Sequence, residues 1–417
     1  MPTAPRGTSD RLPEEQPSWE HVISTAEEVC RLYGYQRIDT PVFEDAGVYL
    51  RTTGDSTDVV RKEMYIFEDR GGEKLALRPE GTAGVCRAYL EHGMSNLVQP
   101  VRLFYIAPVF RYDRPQAGRY RQHHQFGVEA LGDADPALDA EVIDLLHTFY
   151  RRLGLDDFRL QLNSIGDVMC RPAYLERLRA YYADKLDLLD RDCRERLENN
   201  PLRLLDCKNA GCQPIIDAAP VLVDHLCEPC RDHFATVRRC LERLGVSHDL
   251  NPRLVRGLDY YTRTVFEFQP LVEGSQSALG GGGRYDGLIE LLGGKPTPGV
   301  GFGTGIERII LNLKRTEVAV PGGASPELFV AHMGDGTIEA ALDILMRARG
   351  EGISALMATG GRSLKAQMRQ ADSSGARYVA LIGERELESG EVTLRDLTTR
   401  SQESLPVADA ISRLTAS

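Results

Sequence analysis

Side chains that could bind a ligand or take part in catalysis concentrate in four segments of the chain. Arginine, glutamate, glutamine and tyrosine recur there at a density that a packed core does not need. The segments are 77–83 (LRPEGTA), 110–129 (FRYDRPQAGRYRQHHQFGVE), 253–268 (RLVRGLDYYTRTVFEF) and a two-part segment, 278–288 with 298–309. Guanidinium groups bind phosphates, and carboxylates accept hydrogen bonds from ammonium or ring N–H groups. The residue types therefore indicate a ligand with one anionic end and one cationic or polar end.

The second of these segments predicts a β-hairpin with a polar face. Arginines and glutamines lie on both sides of a turn that contains Pro and Gly. In its second strand, Gln125, Gly127 and Glu129 are two residues apart and therefore share one face. Such a row is costly to bury without a ligand or polar partners. The alternative is a solvated hairpin that carries surface arginines.

The remaining segments allow a functional and a structural interpretation. Arg256 precedes a glycine, and Tyr260 and Tyr261 precede a strand, which a β-turn with aromatic packing would also explain. The glycine-rich segments would let the backbone approach a ligand closely, and the last one leads into a helix whose first turn holds Glu307 and Arg308. Neither glycine segment matches a phosphate-binding loop or a dinucleotide fingerprint. Glycine content alone is a weak signal.

Taken together, the arginines would clamp phosphates, and Glu80, Gln125 and Glu129 would hold an ammonium group or a ring N–H. An antiparallel sheet that offers both kinds of group suggests the activation of an amino acid by a nucleotide.

The elements that must carry these side chains fall into two regions. Before about Thr316, hairpin-connected strands predict a largely antiparallel sheet. We expect a helix over 18–33, a hairpin over 100–131, a helix over 135–153 and a mostly helical stretch over 171–245.

Around the glycine-rich segment the pattern predicts an interrupted sheet. Strands are expected at Thr264–Phe268 and near Ser277–Leu279, and the glycine run Gly280–Gly283 is expected to break the strand pattern before a helix from Asp286. A glycine-rich strand at Pro298–Gly305 should lead directly into a helix.

After about Thr316 strand and helix alternate, which predicts a separate α/β domain with a parallel core. The strands read LFVAH, ISALM and YVALI, and a short hairpin is expected around Ser389 and Gly390 before a final helix near 406–415. The composition of 318–327 (VAVPGGASPE) is typical of a linker.

Composition excludes several classes of protein. The chain has 417 residues, of which 42% are hydrophobic and 27% charged, which is ordinary for a globular protein. A net charge of −11 argues against a non-specific nucleic-acid coat, although a local basic patch could still meet a nucleic acid. No run of residues is apolar enough for a membrane helix, and the N-terminal residues have no apolar core of the kind that a secretory signal carries. A cytoplasmic protein is therefore expected.

The cysteines allow two interpretations. Nine cysteines without an export signal fit a reduced compartment better than a disulfide scaffold. Cys207 and Cys212 form one pair and Cys227 and Cys230 another, so the four could form a tetrahedral zinc set. Small apolar thiols also pack well in a helical region, and in that case no metal is bound.

At the level of motifs, the chain resembles the histidyl-tRNA synthetases, which are class II aminoacyl-tRNA synthetases. The resemblance extends nearly from end to end. The helix–strand–Pro41 unit resembles motif 1, the 110–129 segment resembles motif 2, and GVGFGTGIERI resembles motif 3. LVRGLDYYTRTVFEF and ALGGGGRYDGL are specific to the histidine enzymes, and GGRSLKAQMRQADSSGARYVALIGERE resembles their anticodon-binding domain.

The resemblance implies an α+β fold: a class II antiparallel sheet with flanking helices and a helical insertion, plus a C-terminal α/β anticodon-binding domain. The domain boundaries that follow are 1–170 for the first part of the catalytic domain, 171–250 for the insertion, 251–318 for the second catalytic part and 325–417 for the anticodon-binding domain.

The resemblance also implies a function. The enzyme would be a histidine–tRNA ligase, which forms histidyl-adenylate and pyrophosphate from L-histidine and ATP with Mg²⁺, and then transfers histidine to the 3′ end of tRNA(His). It would act as a cytoplasmic homodimer and would need no resident metal. The alternative is a catalytically inactive, synthetase-like regulatory subunit of histidine biosynthesis.

Residue roles follow from the same resemblance. Arg111 and Arg256 would be the catalytic cations on the α-phosphate. The other ATP-binding residues would be Arg119, His123 and Arg308, and the residues at the tRNA acceptor end would be Arg114 and Gln116. The histidine-binding residues would be Glu80, Gly81, Thr82, Gln125, Glu129, Tyr260, Tyr261 and Tyr285, with Glu129 and Tyr261 on the imidazole and Glu80, Thr82 and Gln125 on the α-amino group.

Two further expectations concern ATP and tRNA. The family usually has phenylalanine, stacking on adenine, where this chain has His123, so ATP binding is expected to weaken below the pKa of His123; alternatively, His123 is merely a smaller aromatic residue. In the C-terminal domain, Arg362, Lys365 and Arg369 recur at helical spacing and would form a local basic patch for tRNA.

Overall fold

The computed structural model describes residues 1–54, 57, 59–116, 118–271, 278–323 and 325–415. The chain forms two compact units, Met1–Pro321 and Gly322–Ser417. Among the described residues, no helix combines the length and the apolar character needed to cross a membrane.

The first unit is built around an eight-stranded sheet. Its strands, with those of a smaller sheet, are β1 (Gln36–Arg37), β2 (Phe43–Asp45), β3 (Ile66–Glu68), β4 (Lys74–Leu77), β5 (Val101–Phe110), β6 (Gln122–Leu131), β7 (Phe158–Ser164), β8 (His248–Leu250), β9 (Thr262–Pro270), β10 (Gly280–Arg284) and β11 (Gly299–Gly305). The large sheet has the order β1-β5-β6-β11-β10-β9-β7-β8, and β2-β4-β3 form the second sheet. In the part of the chain that the structure describes, the outer pairs β1/β5 and β7/β8 of this sheet are parallel and the other pairs antiparallel, so the prediction of a largely antiparallel sheet is confirmed.

Helices cover the large sheet and fill the segment between β7 and β8. They are α1 (Gln16–Leu32), α2 (Ala46–Thr53), α3 (Thr82–Glu91), α4 (Pro136–Arg152), α5 (Arg171–Tyr182), α6 (Arg191–Asn199), α7 (Gln213–Asp217), α8 (Glu228–Leu244), α9 (Leu288–Leu291) and α10 (Ile306–Arg315). A π-helical turn spans Val59–Glu63, and short 3₁₀ turns occur between the other elements. The apolar faces of α1, α4, α8 and α10 share one core with the large sheet.

Local sequence explains where the main elements begin. The Asp135 side chain accepts a hydrogen bond from the N–H of Ala137 and caps α4, whose first residue is Pro136. Buried and half-buried residues alternate along much of β5, and the second half of β6, 126–131, is buried on both faces. The two strands pair antiparallel, so the hairpin was predicted correctly.

The glycine run does not break the sheet, and that prediction was wrong. Gly280–Arg284 is itself a central strand, antiparallel to both β9 and β11. The neighbouring strand β11 lies so close that a Cβ on Gly282 would be 1.9 Å from the carbonyl oxygen of Gly301. The strand expected near Ser277–Leu279 is not seen at 278–279, and Ser277 lies outside the described residues.

The second unit is a five-stranded α/β domain. Its elements are β12 (Leu328–His332), α11 (Thr337–Gly350), β13 (Ala355–Met357), α12 (Leu364–Ser373), β14 (Tyr378–Ile382), α13 (Glu384–Ser389), β15 (Glu391–Asp396), β16 (Gln402–Pro406) and α14 (Val407–Thr415). Strands β13, β12 and β14 are parallel, and β15 and β16 extend the sheet antiparallel. The predicted parallel core is therefore present.

One prediction in this unit was wrong. The segment around Ser389 and Gly390 ends the short helix α13 with a left-handed glycine, and the hairpin lies one strand later, between β15 and β16. The run of charged residues at 384–388 suits a surface helix as well as a loop, so polarity alone does not distinguish the two.

Candidate active site

One cavity of the first unit contains four arginines that come from three separate stretches of the chain. It has a volume of about 280 Å³ and is lined by Arg111, Arg119, Arg256 and Arg308. The hairpin β5–β6 supplies the first two, the loop before β9 the third, and the first turn of α10 the fourth. The four arginines predicted to bind phosphate therefore share one space.

The sheet order explains this convergence. Strand β11 lies between β6 and β10, and α10 begins where β11 ends. The helix start is thus held beside the end of the hairpin, where Gly305 pairs with Gln125.

Within the cavity the positive charges of the arginines lie close enough to repel one another. Burial, together with the neighbouring charges of Arg111 and Arg119, lowers the pKa of Arg308. Arg308 is held by the carbonyl oxygens of Gly118 at 2.8 Å and Ala278 at 3.2 Å. Like charges that are held close together form a binding site for a polyanion.

Arg256 has an acidic partner that the sequence reasoning did not single out. Its guanidinium forms an ion pair with Glu267 on β9, and both side chains are largely buried. The guanidinium lies 5.9 Å from the centre of the Tyr261 ring. Arg256 Nε has no hydrogen-bond partner among the residues that the structure describes, so a donor remains available to a ligand.

His123 lines the same cavity as the arginines. Burial, and the positive charges of Arg111 and Arg308, lower its pKa to about 3. Its imidazole is therefore neutral at ordinary pH.

Beside the cavity, Glu129 lies at the centre of a buried polar cluster. It is fully buried and accepts hydrogen bonds from the hydroxyl groups of Tyr285, Thr82 at 2.7 Å and Tyr105 at 3.4 Å. Burial raises its pKa to about 8; the hydrogen bonds from Tyr285 and Thr82 oppose the rise, and the charge of Glu80 adds to it. Such a group can donate or accept a proton near neutral pH.

The segment 79–83 forms one wall of this cluster. The carboxylate of Glu80 accepts from the backbone N–H groups of Thr82 at 2.6 Å and Ala83 at 2.9 Å, and it thereby holds the start of α3. Gly81 packs against Tyr105, where a Cβ would be 2.2 Å from the ring. Glu80 keeps free lone pairs on its oxygens, since each accepts one bond.

Tyrosines connect the cluster to the cavity. The ring of Tyr260 is 4.7 Å from that of Tyr261 and 5.7 Å from that of Tyr285. Because Tyr261 also faces Arg256 and Tyr285 bonds Glu129, the two parts of the site are continuous.

Gln125 stands where the two parts meet. It lines the cavity, and its Oε1 is buried without a hydrogen-bond partner among the described residues. Burial of an unpaired amide oxygen is costly and indicates a donor supplied by a ligand.

Two glycines of β11 make room for these side chains. A Cβ on Gly301 would be 2.1 Å from Glu129 Oε2, and a Cβ on Gly303 would be 1.9 Å from Gln125 Nε2. The glycines of β11 therefore leave the space that the side chains of Glu129 and Gln125 occupy.

Arg114 and Gln116 do not join the cavity. Both are exposed in the turn between β5 and β6, where Gln116 and Arg119 form an isolated bridge. In the second unit, Arg362, Lys365 and Arg369 are exposed; Arg362 precedes α12, and the other two lie in its first turn and its middle.

The cysteines group differently from the single zinc set considered above. Cys207 and Cys212 lie with Asp190 and Cys193, whereas Cys227 and Cys230 lie with Asp167 and Cys170. The interpretation of the four cysteines as one set was therefore wrong, because the fold places each pair against a different D-x-x-C turn.

Comparisons with known proteins agree over the whole chain. The profile described as histidyl-tRNA synthetase matches residues 7–309, and the profile described as anticodon binding domain matches residues 327–417. A histidine–tRNA ligase of Dehalococcoides mccartyi is 54% identical over 414 residues, covering 99% of each chain. One of Pelotomaculum thermopropionicum is 50% identical, covering 99% of this chain and 97% of the relative. The crystal structure of apo S. aureus histidyl-tRNA synthetase has 36% identity and a TM-score of 0.85, with 100% of each chain covered.

Proposed function

The chain belongs to the histidyl-tRNA synthetase family, and from that premise we propose how its side chains divide the reaction. It is an ATP-dependent ligase that joins histidine to tRNA. The observation that carries the assignment of roles is the cavity in which four guanidinium groups meet beside the buried Glu129 cluster.

In the first step, a carboxylate oxygen of histidine attacks the α-phosphorus of ATP, and the bond to pyrophosphate breaks. Arg111 and Arg256 would stabilise the negative charge that develops on the α-phosphate, and Arg119 and Arg308 would hold the leaving pyrophosphate. The Arg111 guanidinium is already oriented by the carbonyl oxygen of Pro79 at 2.8 Å, so it need not reorganise during the reaction.

ATP would enter with Mg²⁺ as part of the substrate. Mg²⁺ commonly binds through phosphate oxygens, water and one or two carboxylates. Of the carboxylates on the cavity wall, Asp113 pairs with Arg119 and Glu307 accepts from His124, while Glu267 pairs with Arg256 and remains partly exposed. The donor set fits a metal held mainly by ATP.

Histidine would bind with its imidazole between Glu129 and Tyr261 and its ammonium group near Glu80, Thr82 and Gln125. The unpaired Gln125 Oε1 suits an ammonium donor. Sites that pair polar groups of a substrate reject analogues that lack them by ~10⁴-fold in favourable cases. In the second step, a terminal ribose hydroxyl of tRNA(His) attacks the acyl carbon and AMP leaves.

The remaining partners belong to the same proposal. The exposed Arg114 and Gln116 would contact the acceptor end, and the basic residues of α12 would contact the anticodon region. A homodimer is supported by apolar side chains exposed near the smaller sheet, where Phe43 is 53% and Phe67 42% exposed. A cytoplasmic location fits the absence of any disulfide among the nine cysteines, all of which the structure describes.

The experiment that tests the catalytic assignment is the exchange of labelled pyrophosphate into ATP by the purified protein. We expect exchange with histidine and none without it, followed by charging of tRNA(His) transcripts. The regulatory alternative predicts no exchange under either condition. The identity of over half the residues to curated ligases favours the ligase.

The protonation of His123 determines how ATP binding should depend on pH. Because its pKa is about 3, protonation would begin to weaken ATP binding only near pH 3, far below the range in which the enzyme would be assayed. Between about pH 6 and 8 the KM for ATP of the wild type and of His123→Phe should therefore follow the same pH dependence. A KM that rises toward pH 6 in the wild type alone would contradict this.

A further inference from the structure

We propose that the segment between β7 and β9 binds two structural zinc ions, each through three cysteine thiolates and one aspartate. The first site consists of Asp167, Cys170, Cys227 and Cys230, and the second of Asp190, Cys193, Cys207 and Cys212. This goes beyond the ligase activity, which assigns no resident metal.

The first site lies where two helices, α5 and α8, begin. Cys170 immediately precedes α5 and Cys227 immediately precedes α8, so Asp167-x-x-Cys170 and Cys227-x-x-Cys230 face each other. A Cys-x-x-Cys spacing is typical of structural zinc sites. The sulfur atoms of Cys170 and Cys227 lie 3.7 and 4.0 Å from Asp167 Oδ1.

The second site also combines an Asp-x-x-Cys segment with a second pair of cysteines. Asp190 caps α6 and accepts from the N–H of Cys193 at 2.7 Å, while Cys207 and Cys212 flank a turn that leads into α7. Cys207 Sγ lies 4.0 Å from Asp190 Oδ2.

The donor atoms are close enough for tetrahedral coordination. In each group all four lie within 4.8 Å of one another. Zn–S bonds of ≈ 2.3 Å in a tetrahedron place the ligand atoms about 3.7 Å apart, so small side-chain movements would close either group around an ion. Three thiols and a carboxylate suit Zn²⁺ better than Mg²⁺ or Ca²⁺, which prefer oxygen. Binding would release the three thiol protons.

Hydrogen bonds already orient the proposed ligands. In the first site the N–H of Met169 donates to Asp167 at 3.0 Å, and Arg263 lies 3.3 Å from the other oxygen. In the second, the N–H of Asn209 donates to Cys207 Sγ at 3.3 Å, and the Asn209 side chain donates to Asp190 at 2.7 Å. Such bonds to ligand sulfur and carboxylate support metal sites.

Simple packing of thiols does not account for this distribution. Six of the nine cysteines fall into these two groups, whereas Cys30, Cys86 and Cys240 belong to no metal-ligating group among the residues that the structure describes. Apolar packing would not place an aspartate among three thiols twice.

The two sites would stabilise the loop that carries Arg256. Arg263, which follows that loop, bonds the first-site ligand Asp167. Arg253, which precedes Arg256, donates to the carbonyl oxygens of Leu205 at 3.2 Å and Cys207 at 3.4 Å beside the second site. Loss of zinc should therefore lower the melting temperature and the rate of adenylate formation together.

Metal content of the full-length protein, purified without added metal or chelator, tests the proposal directly. We expect two zinc ions per chain by plasma mass spectrometry, one in Cys230→Ser, one in Cys212→Ser and none in the double variant. Cys240→Ser, which alters a partly buried cysteine outside both groups, should keep two. A content of one or none in the wild type, or of two in all single variants, would overturn the proposal.

A second measurement covers the case in which the variants do not fold. Wild-type protein from which the metal is exchanged for Co²⁺ should show the visible bands of tetrahedral cobalt and a thiolate-to-metal charge-transfer band, saturating at two Co²⁺ per chain. Protein denatured with a chelator present and no reductant should titrate with nine free thiols. Missing charge-transfer bands, or fewer thiols because disulfides have formed, would refute zinc coordination.

Discussion

Replacing Arg256 by alanine is expected to lower kcat for histidine-dependent pyrophosphate exchange by about 10²–10³-fold. The Arg256 guanidinium lines the phosphate cavity and is fixed by its ion pair with Glu267. It would act on charge that develops at the α-phosphate only in the transition state, so kcat should fall more than the affinity for ATP. Transfer from preformed adenylate to tRNA should change much less.

Three control variants separate the cation from its surroundings. Arg256→Lys keeps a charge but not the planar fork, and should recover only part of the rate. Arg256→Ala combined with Glu267→Gln removes the carboxylate that the single variant leaves unpaired. Arg253→Ala removes an arginine of the same loop that bonds Leu205, Gln213 and Asp217 instead of facing the cavity.

The outcome distinguishes catalysis from folding. If Arg256 is catalytic, the double variant should remain as slow as the single one, and Arg253→Ala should affect melting temperature more than kcat. Wild-type exchange in Arg256→Ala would remove the proposed role, and recovery in the double variant would assign the defect to an unpaired Glu267.

How far the sequence predicts this fold depends on side-chain periodicity. The hairpin β5–β6 and the helix α4 were predicted well because the turn with Pro and Gly and the Asp135-Pro136 helix start are local signals. The strand Gly280–Arg284 was missed because glycines carry no side chains and hence no periodicity. Its place in the sheet is set by pairing with β9 on one side and β11 on the other, which only the tertiary structure reveals.

Residue type alone was informative for the arginines of the candidate site. Arginines far apart in sequence were expected to meet, and they line one cavity. Glu267 was missed because a single carboxylate in an alternating strand looks like a solvent-facing residue. For the cysteines, the repeated Asp-x-x-Cys spacing at Asp167 and Asp190 was a usable signal, but pairing by nearness in sequence grouped the wrong thiols.

Replacing Glu129 by glutamine is expected to raise the KM for histidine by about 10- to 100-fold, the range for loss of a charge-assisted hydrogen bond in a buried site. Glu129 is fully buried, and its bonds from Thr82, Tyr105 and Tyr285 hold the carboxylate in one orientation. The KM for ATP should change little. Tyr33→Phe, which breaks a tyrosine–carboxylate bond to Asp144 away from the site, serves as the control.

The pH dependence gives a sharper test, because Glu129 and the imidazole would share a single proton. The pKa of Glu129 is about 8 in the free protein, and free imidazole titrates near ~6.5. Between these values one partner already carries the proton, so binding takes up and releases none. Above about 8 the complex must gain a proton, and below about 6.5 it must lose one, so affinity should fall on both sides.

Other ionisable groups face the cluster, and the variant separates them from Glu129. Glu80, whose pKa burial also raises, and the phenols of Tyr105, Tyr260 and Tyr285 remain in Glu129→Gln, as does the α-amino group of histidine. The ratio of wild-type to variant affinity for histidine should therefore fall tenfold per pH unit above about 8. A ratio that stays constant from pH 6 to about 9 would show that Glu129 does not share the imidazole proton.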